Sequence, residues 1–590
     1  MSEYGIKIRN IKAGTLYEYN LGVRDYYQST QAMLSNSLFN DFLLKNGLRV
    51  NKNGATRDIV CIEFDFGSRS YEDEILHIEK LKEKYKEEEN ISMLDTMNNI
   101  EKRVHENESK YIKKTKEEIR EEFYENGVDI TYITKNKNGE VVKKEIIHYE
   151  MLFRSTGKAK KGACMFIKKT LHKKASNFLR MGIKLKKKNA PIVEIGAYCS
   201  LIASGICGKI KIDPSNILVL QDFDSFFETK VISVETDDNK QCIAKRYDNY
   251  KLKNTLFDGQ ALIDESIFPE WGEGYILLRH HFCKMAAFKT KIQNFFKDHY
   301  GDKYDTATVK DMFGREIPVK QIQLITTDNA MKWLKFDVSY EYWSEWVNAN
   351  GNEFGIVKTA HESKLGNVQR MSYQMVNALE QSVMEDVVKC SKEYVELMKR
   401  DNHVFLDYLR KNANFANDYE PLVALCEQNW DFTRSEYFRD RKRKIIEAYT
   451  LNFKSGHINQ NADNLVIVGS PYAMLMHSVG ENPELDPTFE HEEGTIQCYT
   501  SRFNNNEYLA FFRSPFNSKN NMSYLHNHHH PYFDKYFDFG KLIIAVNMVH
   551  TDFQDRNNGL TYWVTLSQAY NEDRVKMGKI GGRFNILIPR

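Results

Sequence analysis

The sequence predicts an α+β protein built from two β-rich modules joined by a helical connector, with a charged helical insertion near the N-terminus. Three observations predict it. Short apolar or β-branched segments separated by turns recur over residues 210–365 and return over residues 456–559. Between the two runs, residues 366–455 carry a helical period. Over residues 71–127 the composition changes to Glu and Lys. Short strands at regular spacing suit a barrel or sandwich better than alternating β and α units.

Composition sets the bounds. A chain of 590 residues can bury several cores, so more than one domain is expected. Hydrophobic content of 42% with 28% charged residues describes a globular protein. The formal net charge is only +2, so attraction to a polyanion has to come from local charge. The nine cysteines are scattered, with no C-x-x-C pair. Reduced thiols fit better than a zinc site or a disulfide framework. The start, MSEYGIKIRNIKAGT, lacks an apolar signal core, and Ile195 to Gly208 is too short to span a bilayer. A cytoplasmic location is expected.

The N-terminal α/β segment, residues 1–70, mixes strand signals with an apolar helical stretch, Gln31 to Lys45. Alternation through Ile59, Cys61, Glu63 and Asp65 predicts a strand ending at Phe66-Gly67. Residues 71–127 form the charged insertion. Ile75, Ile78, Leu81 and Tyr85 recur at helical spacing, as do Ile91, Leu94, Ile100 and Val104, which predicts a pair of helices. A solvated insertion explains this composition better than a partner-binding arm. Residues 128–209 open with a hairpin, DITYIT and EVVKKEIIHY around Asn138-Gly139.

A basic block follows. Met151 to Ala190 holds thirteen Lys or Arg residues and no Asp or Glu, with Phe153, Phe166 and Phe178 interleaved. Balanced surfaces intersperse both signs, so this asymmetry points to phosphate backbones. The candidate nucleic-acid-binding residues are Arg154, Lys158, Lys160, Lys161, Lys168 and Lys169. The stretch STGKAKKG fails as a P-loop: Leu152 stands where the first glycine is needed, and Ala159 follows Lys158.

Residues 210–365 supply the strands KIKI, NILVLQDF, KVISVET, QALIDE and GYILLRHHF. In the connector, Met371, Met375, Leu379, Val383 and Val387 mark an amphipathic helix. The second module, residues 456–559, supplies NLVIVG, TIQCYT, EYLAFF and KLIIAVN, and residues 560–590 form a tail.

Five segments resemble the two-barrel RNA polymerase superfamily: LFDGQALID (256–264), GYILLRHHFCKMAAFKTKIQNFF (274–296), ITTDNAMKWLKF (325–336), FRSPFNS (512–518) and the run ending at Gly559. The similarity is greatest to the single-chain polymerases of Firmicutes prophages and mobile elements, which are related to the RNA-dependent RNA polymerases of eukaryotic gene silencing. The resemblance implies two double-psi β-barrel modules and a nucleotidyltransferase that binds RNA or DNA and nucleoside triphosphates. It implies that the first barrel presents a lysine to the triphosphate. Lys284 stands at that position, with Arg279 and Lys289 as further catalytic candidates. In the family the second barrel carries a D-x-D-G-D-type loop that binds catalytic Mg²⁺.

The departure comes in that loop. The run NMVHTDFQDRNNG, Asn547 to Gly559, leaves an apolar strand, as a metal loop would. Yet Gly559 is followed by LTYWVTLSQAY, with no carboxylate before Glu572. Asp552 and Asp555 precede the expected loop and do not substitute. The second barrel therefore reads as incomplete, the form as truncated and catalytically inactive, and no cofactor is predicted for this chain. A frame shift after Gly559 or a natural half-polymerase both fit, and the tail GKIGGRFNILIPR, which continues no earlier pattern, favours the frame shift. A non-enzymatic nucleic-acid-binding protein of a phage or mobile element is the alternative. A metal-dependent hydrolase built on HNHHHP (526–531) with Asp534 and Asp538 is weaker, because consecutive histidines on a loop cannot all face one ion.

Overall fold

The computed structural model describes the chain except residues 1–4, 65–70, 109–115, 137–140, 154–161, 184–191, 237–241, 363–367, 371–380, 414–416, 462–464, 491–495, 513–521, 549–583 and 588–590. It divides into two units. The first comprises Met1–Pro214, Leu278–Lys284 and Met331–Lys358; the second comprises Ser215–Leu277, Met285–Ala330 and Thr359–Arg590.

The first unit is organised on a six-stranded sheet of β1 (Ile6–Lys12), β2 (Ser29–Leu34), β3 (Ala55–Glu63), β4 (Val128–Lys135), β5 (Val141–Phe153) and β6 (Ala163–Lys168). Its order is β2-β1-β3-β6-β5-β4. The predicted hairpin is present: β4 and β5 pair antiparallel from Val128–Tyr149 to Lys135–Val141. The stretch Gln31–Lys45 is not one helix. Its first residues belong to β2, which pairs antiparallel with β1, and the helix runs only over Leu38–Lys45. Ser37 sets that start, its Oγ accepting from Asn40 N at 3.0 Å. β3 ends at Glu63, and residues 65–67 lie outside the described residues.

Among the described residues the charged insertion contains three helices where two are expected: Tyr71–Glu87, Ile91–Glu106 and Lys116–Asn126. The first two form a hairpin, with Ile75, Ile78, Leu81, Tyr85, Ile100 and Val104 in a small core with Val23 and Met97. The third buries Ile119 and Phe123 with Val60, Ile62, Ile130 and Phe166 of the sheet. Its two apolar residues are too few for the period to stand out in the sequence. A short strand β7 (Gly208–Lys211) pairs antiparallel with residues 353–356 of this unit.

The second unit holds the second β module and most of the first. In chain order its strands begin with β8 (Ile217–Leu220), the long hairpin β9 (Asp224–Thr236) and β10 (Cys242–Thr255), and β11 (Gln260–Asp264). Then follow β12 (Tyr275–His280) and β13 (Cys283–Thr290), each running from one unit into the other. A small hairpin, β14 (Thr308–Lys310) with β15 (Glu316–Pro318), precedes β16 (Leu324–Thr327). After β17 (Glu353–Thr359), all but its last residue in the first unit, and the β18 (Val368–Arg370) and β19 (Asn459–Asn461) pair come β20 (Val466–Gly469), β21 (Ile496–Tyr499), β22 (Tyr508–Phe512), β23 (Met522–Asn527) and β24 (Ile543–Val546). β23 is absent from the expected strands: its sequence, MSYLHN, shows no apolar run.

The two modules repeat one topology. In the first, β8 is parallel to β16, β16 antiparallel to β11, and β11 parallel to β13. In the second, β20 is parallel to β24, β24 antiparallel to β21, and β21 parallel to β23, with β22 added at the edge. Setting β22 aside, each module reads first-fourth-second-third in chain order, with the same parallel, antiparallel, parallel sequence. Parallel neighbours need crossover connections, so the same order arising twice is a strong structural repeat.

One apolar core joins the modules. It includes Leu218, Leu262, Phe288 and Ile325 of the first and Val468, Ile543 and Ala545 of the second. Ile544 and Val546 turn to the other face of the second sheet, with Ile496, Cys498 and Leu525. The connector contributes helices Met384–Arg400, Asn402–Asn412, Tyr419–Gln428 and Glu436–Lys454, packed on their own core of Met398, Phe405, Leu409, Phe438 and Ile446. The chain is thus α+β, with two β modules and a helical connector in the expected order. Residues 371–380, where the connector's first helical period was read, lie outside the described residues.

Candidate functional site

Loops leaving parallel strands are where such sheets place chemistry. In the first module, the exit of β8 is tied to the exit of β16. Asp222 N donates to Asp328 Oδ1 at 3.0 Å. The Asp222 carboxylate accepts from Phe223 N (2.8 Å), Phe257 N (2.9 Å), Asn329 Nδ2 (2.8 Å) and Thr327 Oγ1 (3.1 Å). Burial pushes its pKa up to about 6, the Asp328 charge adding to the rise against these hydrogen bonds. With this many donors satisfied, Asp222 fastens the loop. The sequence reading missed it inside NILVLQDF.

The second module uses the equivalent tie. Ser470, just after β20, has left-handed backbone at φ 32°. Its N donates to Val546 O and its Oγ accepts from Met548 N, both at 3.0 Å. The run beginning at Asn547 is therefore anchored where it leaves β24. Asp552, Asp555 and the tail to residue 583 lie outside the described residues.

Lys289 of β13 is held within the second unit. Its Nζ donates to Asp538 Oδ2 at 2.6 Å and lies 5.6 Å from the Phe268 ring. Lys291 Nζ donates to Asp534 O at 2.9 Å. These contacts bind the first module's third strand to the segment preceding β24.

Arg279 and Lys284 belong to the first unit. Arg279 is buried, its Nη1 donating to Leu278 O at 2.8 Å, and Lys284 is half-buried. The Cys283 thiol is pushed up to about 12 by burial, with the Arg279 and Lys332 charges pulling the other way. Lys332 enters this neighbourhood because Cys283 bridges to Met331. It stands in the segment ITTDNAMKWLKF but was not singled out there. Arg279 and Lys332 thus both place positive charge near the Cys283 thiol, next to Lys284 in the chain.

Between Arg279 and Cys283 lie two wholly buried histidines. His281 Nε2 pairs with Phe178 O at 2.8 Å, whereas neither ring nitrogen of His280 has a hydrogen-bond partner among the described residues. His280 packs on Phe354, and His281 on Phe178 and Trp346. Burial pulls both pKa values down, that of His281 to about 3.

Of the basic block, Arg154, Lys158, Lys160 and Lys161 lie outside the described residues. Lys168 ends β6, half-buried, and Lys169 opens the helix Lys169–Leu179 with its Nζ 3.6 Å from Glu150. That helix buries Ala175, Phe178 and Leu179 and exposes Lys169, Lys173 and Lys174. Its solvent face is cationic, as the missing carboxylates imply.

The histidine run sends its rings in different directions. His526 stacks on Tyr508 at 4.5 Å, His529 Nε2 meets Asp534 Oδ2 at 2.8 Å, and His530 Nδ1 caps the helix Pro531–Tyr536. Among the described residues, no group of three or more His, Cys, Asp or Glu could hold a metal ion. Nor is any helix among them long and apolar enough to cross a membrane.

No protein-family model matches the chain, and no curated protein matches it. Among solved structures, the RNA-dependent RNA polymerase QDE-1 from Thielavia terrestris is similar at a TM-score of 0.49 and 10% identity. The match covers 94% of this chain and 52% of that one, so the chain spans about half the length of the structure it matches.

Proposed function

We propose that this chain is a polymerase-like protein of the nucleotidyltransferase type that binds nucleic acid and, with the sequence it carries, does not extend a primer. The observation that carries the reading is the repeated strand order on one core. It supports the paired β modules that the sequence resemblance implies. The cationic face of helix Lys169–Leu179 supports contact with a phosphate backbone. Arg279 and Lys284 are the residues to which the triphosphate of a nucleotide is assigned.

Nucleotidyl transfer needs carboxylates converging on Mg²⁺ to activate the attacking 3′ hydroxyl. The stretch following Gly559 supplies none before Glu572. The chain is therefore assigned binding without polymerisation, in the manner of a phage or mobile-element protein. Primer extension on DNA and RNA templates with Mg²⁺, run beside an equilibrium binding assay, tests this. Binding without product is expected. Template-dependent product would overturn the inactivity, and no binding to any template would overturn the reading as a whole.

A further inference from the structure

The helical connector carries a basic and aromatic surface that the reading above leaves unused. From Arg434 to Lys444 the chain has six cations, Arg434, Arg439, Arg441, Lys442, Arg443 and Lys444, against Glu436 and Asp440. Two of the six are committed to packing. Arg441 pairs with Asp418. Lys442 lies across the Phe405 ring and donates to Lys399 O (3.0 Å) and Asn402 Oδ1 (2.7 Å).

Those last two bonds bring the end of helix Met384–Arg400, with exposed Lys399 and Arg400, against the turn of helix Glu436–Lys454 that carries Arg439 and Arg443. One residue past Asn402, His403 stacks on Trp430 at 4.3 Å and 18°. Trp430 nevertheless stays 43% exposed. A tryptophan held flat by one neighbour and open to solvent, shortly before Arg434 and Arg439 in the chain, is a stacking platform on a basic segment.

Carboxylates temper the patch without cancelling it. Glu396 pairs with Lys399, Asp431 with Arg434, and Asp440 with both Arg443 and Lys444. Among the described residues the side chains of Arg400 and Arg439 make no ion pair or hydrogen bond; Arg439 N donates to Ser435 O at 3.2 Å.

We propose that this end of the connector is a second nucleic-acid contact, which takes single strands: a base stacks on Trp430 and the adjoining phosphates lie on Arg439 and Arg443. The proposal rests on the nucleic-acid reading and adds a place and a preference to it. Single strands are favoured because only an unpaired base offers a free face to an indole.

The test is fluorescence anisotropy of the full chain with labelled oligo(dT), oligo(U) and a duplex, over a salt series. Trp430→Ala should weaken single-strand binding by about tenfold, within the range of one lost base stack, and Trp430→Phe should restore most of it. Arg439→Glu with Arg443→Glu should flatten the log–log salt slope by about 1.4, two phosphate contacts at about 0.7 each. These positions are exposed, so circular dichroism should match the parent. A parent that binds while all three variants bind equally well overturns this proposal and leaves the broader reading standing. Equal loss on duplex and single strand overturns the stacking role. A parent that binds neither overturns both readings.

Discussion

His280 and His281 make the first unit sensitive to acid. Both are buried and held neutral, and His280 has no hydrogen-bond partner among the described residues to share a proton. A histidine whose folded pKa lies below its unfolded value near 6.5 loses stability as pH falls through that value. For His281 the loss continues down to about 3, at up to about 1.4 kcal/mol per pH unit. Asp222 acts with the opposite sign. Its raised pKa, about 6, gives stability that is full below about 4 and lost as pH rises through 6. Urea midpoints measured from pH 7 to pH 4 should fall for the parent. His280→Phe, which keeps an aromatic ring against Phe354 and removes the proton site, should flatten that fall at little cost near neutrality. An unchanged acid limb in the variant would show that His280 does not titrate on unfolding. The sequence displays this pair in GYILLRHHF, but burial comes from Phe178, Trp343 and Phe354, distant in the chain, so nothing local marked it.

Between elements, one specific link is a buried amide. Gln260, at the start of β11, donates from Nε2 to Gly469 O and accepts from Gly469 N, both at 3.0 Å. It completes the end of β20 as a neighbouring strand would, and so locks one module to the other inside their common core. Gly274 allows a similar approach: it has φ 67°, and a Cβ there would stand 2.2 Å from Phe539 O. Gln260→Leu keeps the volume and strands two buried backbone groups. It should cost about 1–3 kcal/mol for each, read as a lower urea midpoint. Unfolding at the parent's midpoint would remove the amide from the account. Elements were legible where the signal is local. Asn138-Gly139 marked the β4–β5 hairpin, and apolar residues at helical spacing marked the helical hairpin of residues 71–106. Gln31–Lys45 misled because its apolar residues fit either period, and the β1 partner that decides for a strand lies upstream. The order of each module could not be read at all, since parallel partners such as Ile217 of β8 and Leu324 of β16 are far apart in the chain.

Across the whole molecule, neither unit is a continuous stretch of chain: the first takes back Leu278–Lys284 and Met331–Lys358 from within the first β module. Linear segmentation of the sequence has no means of showing such an exchange. The layout of module, connector and module was legible because the short strand segments give way to a helical period over residues 366–455 and then return. The charge balance of the chain gives no direction, and the account of its function rests on where the cations gather. The most direct measurement is the affinity for a short RNA as a function of salt, for the parent and for Lys160→Glu with Lys161→Glu. A steep negative log–log slope is expected for the parent. The double variant should bind more weakly on every sequence tried and show a shallower slope. Salt-independent binding, or equal affinity of the two proteins, would contradict it.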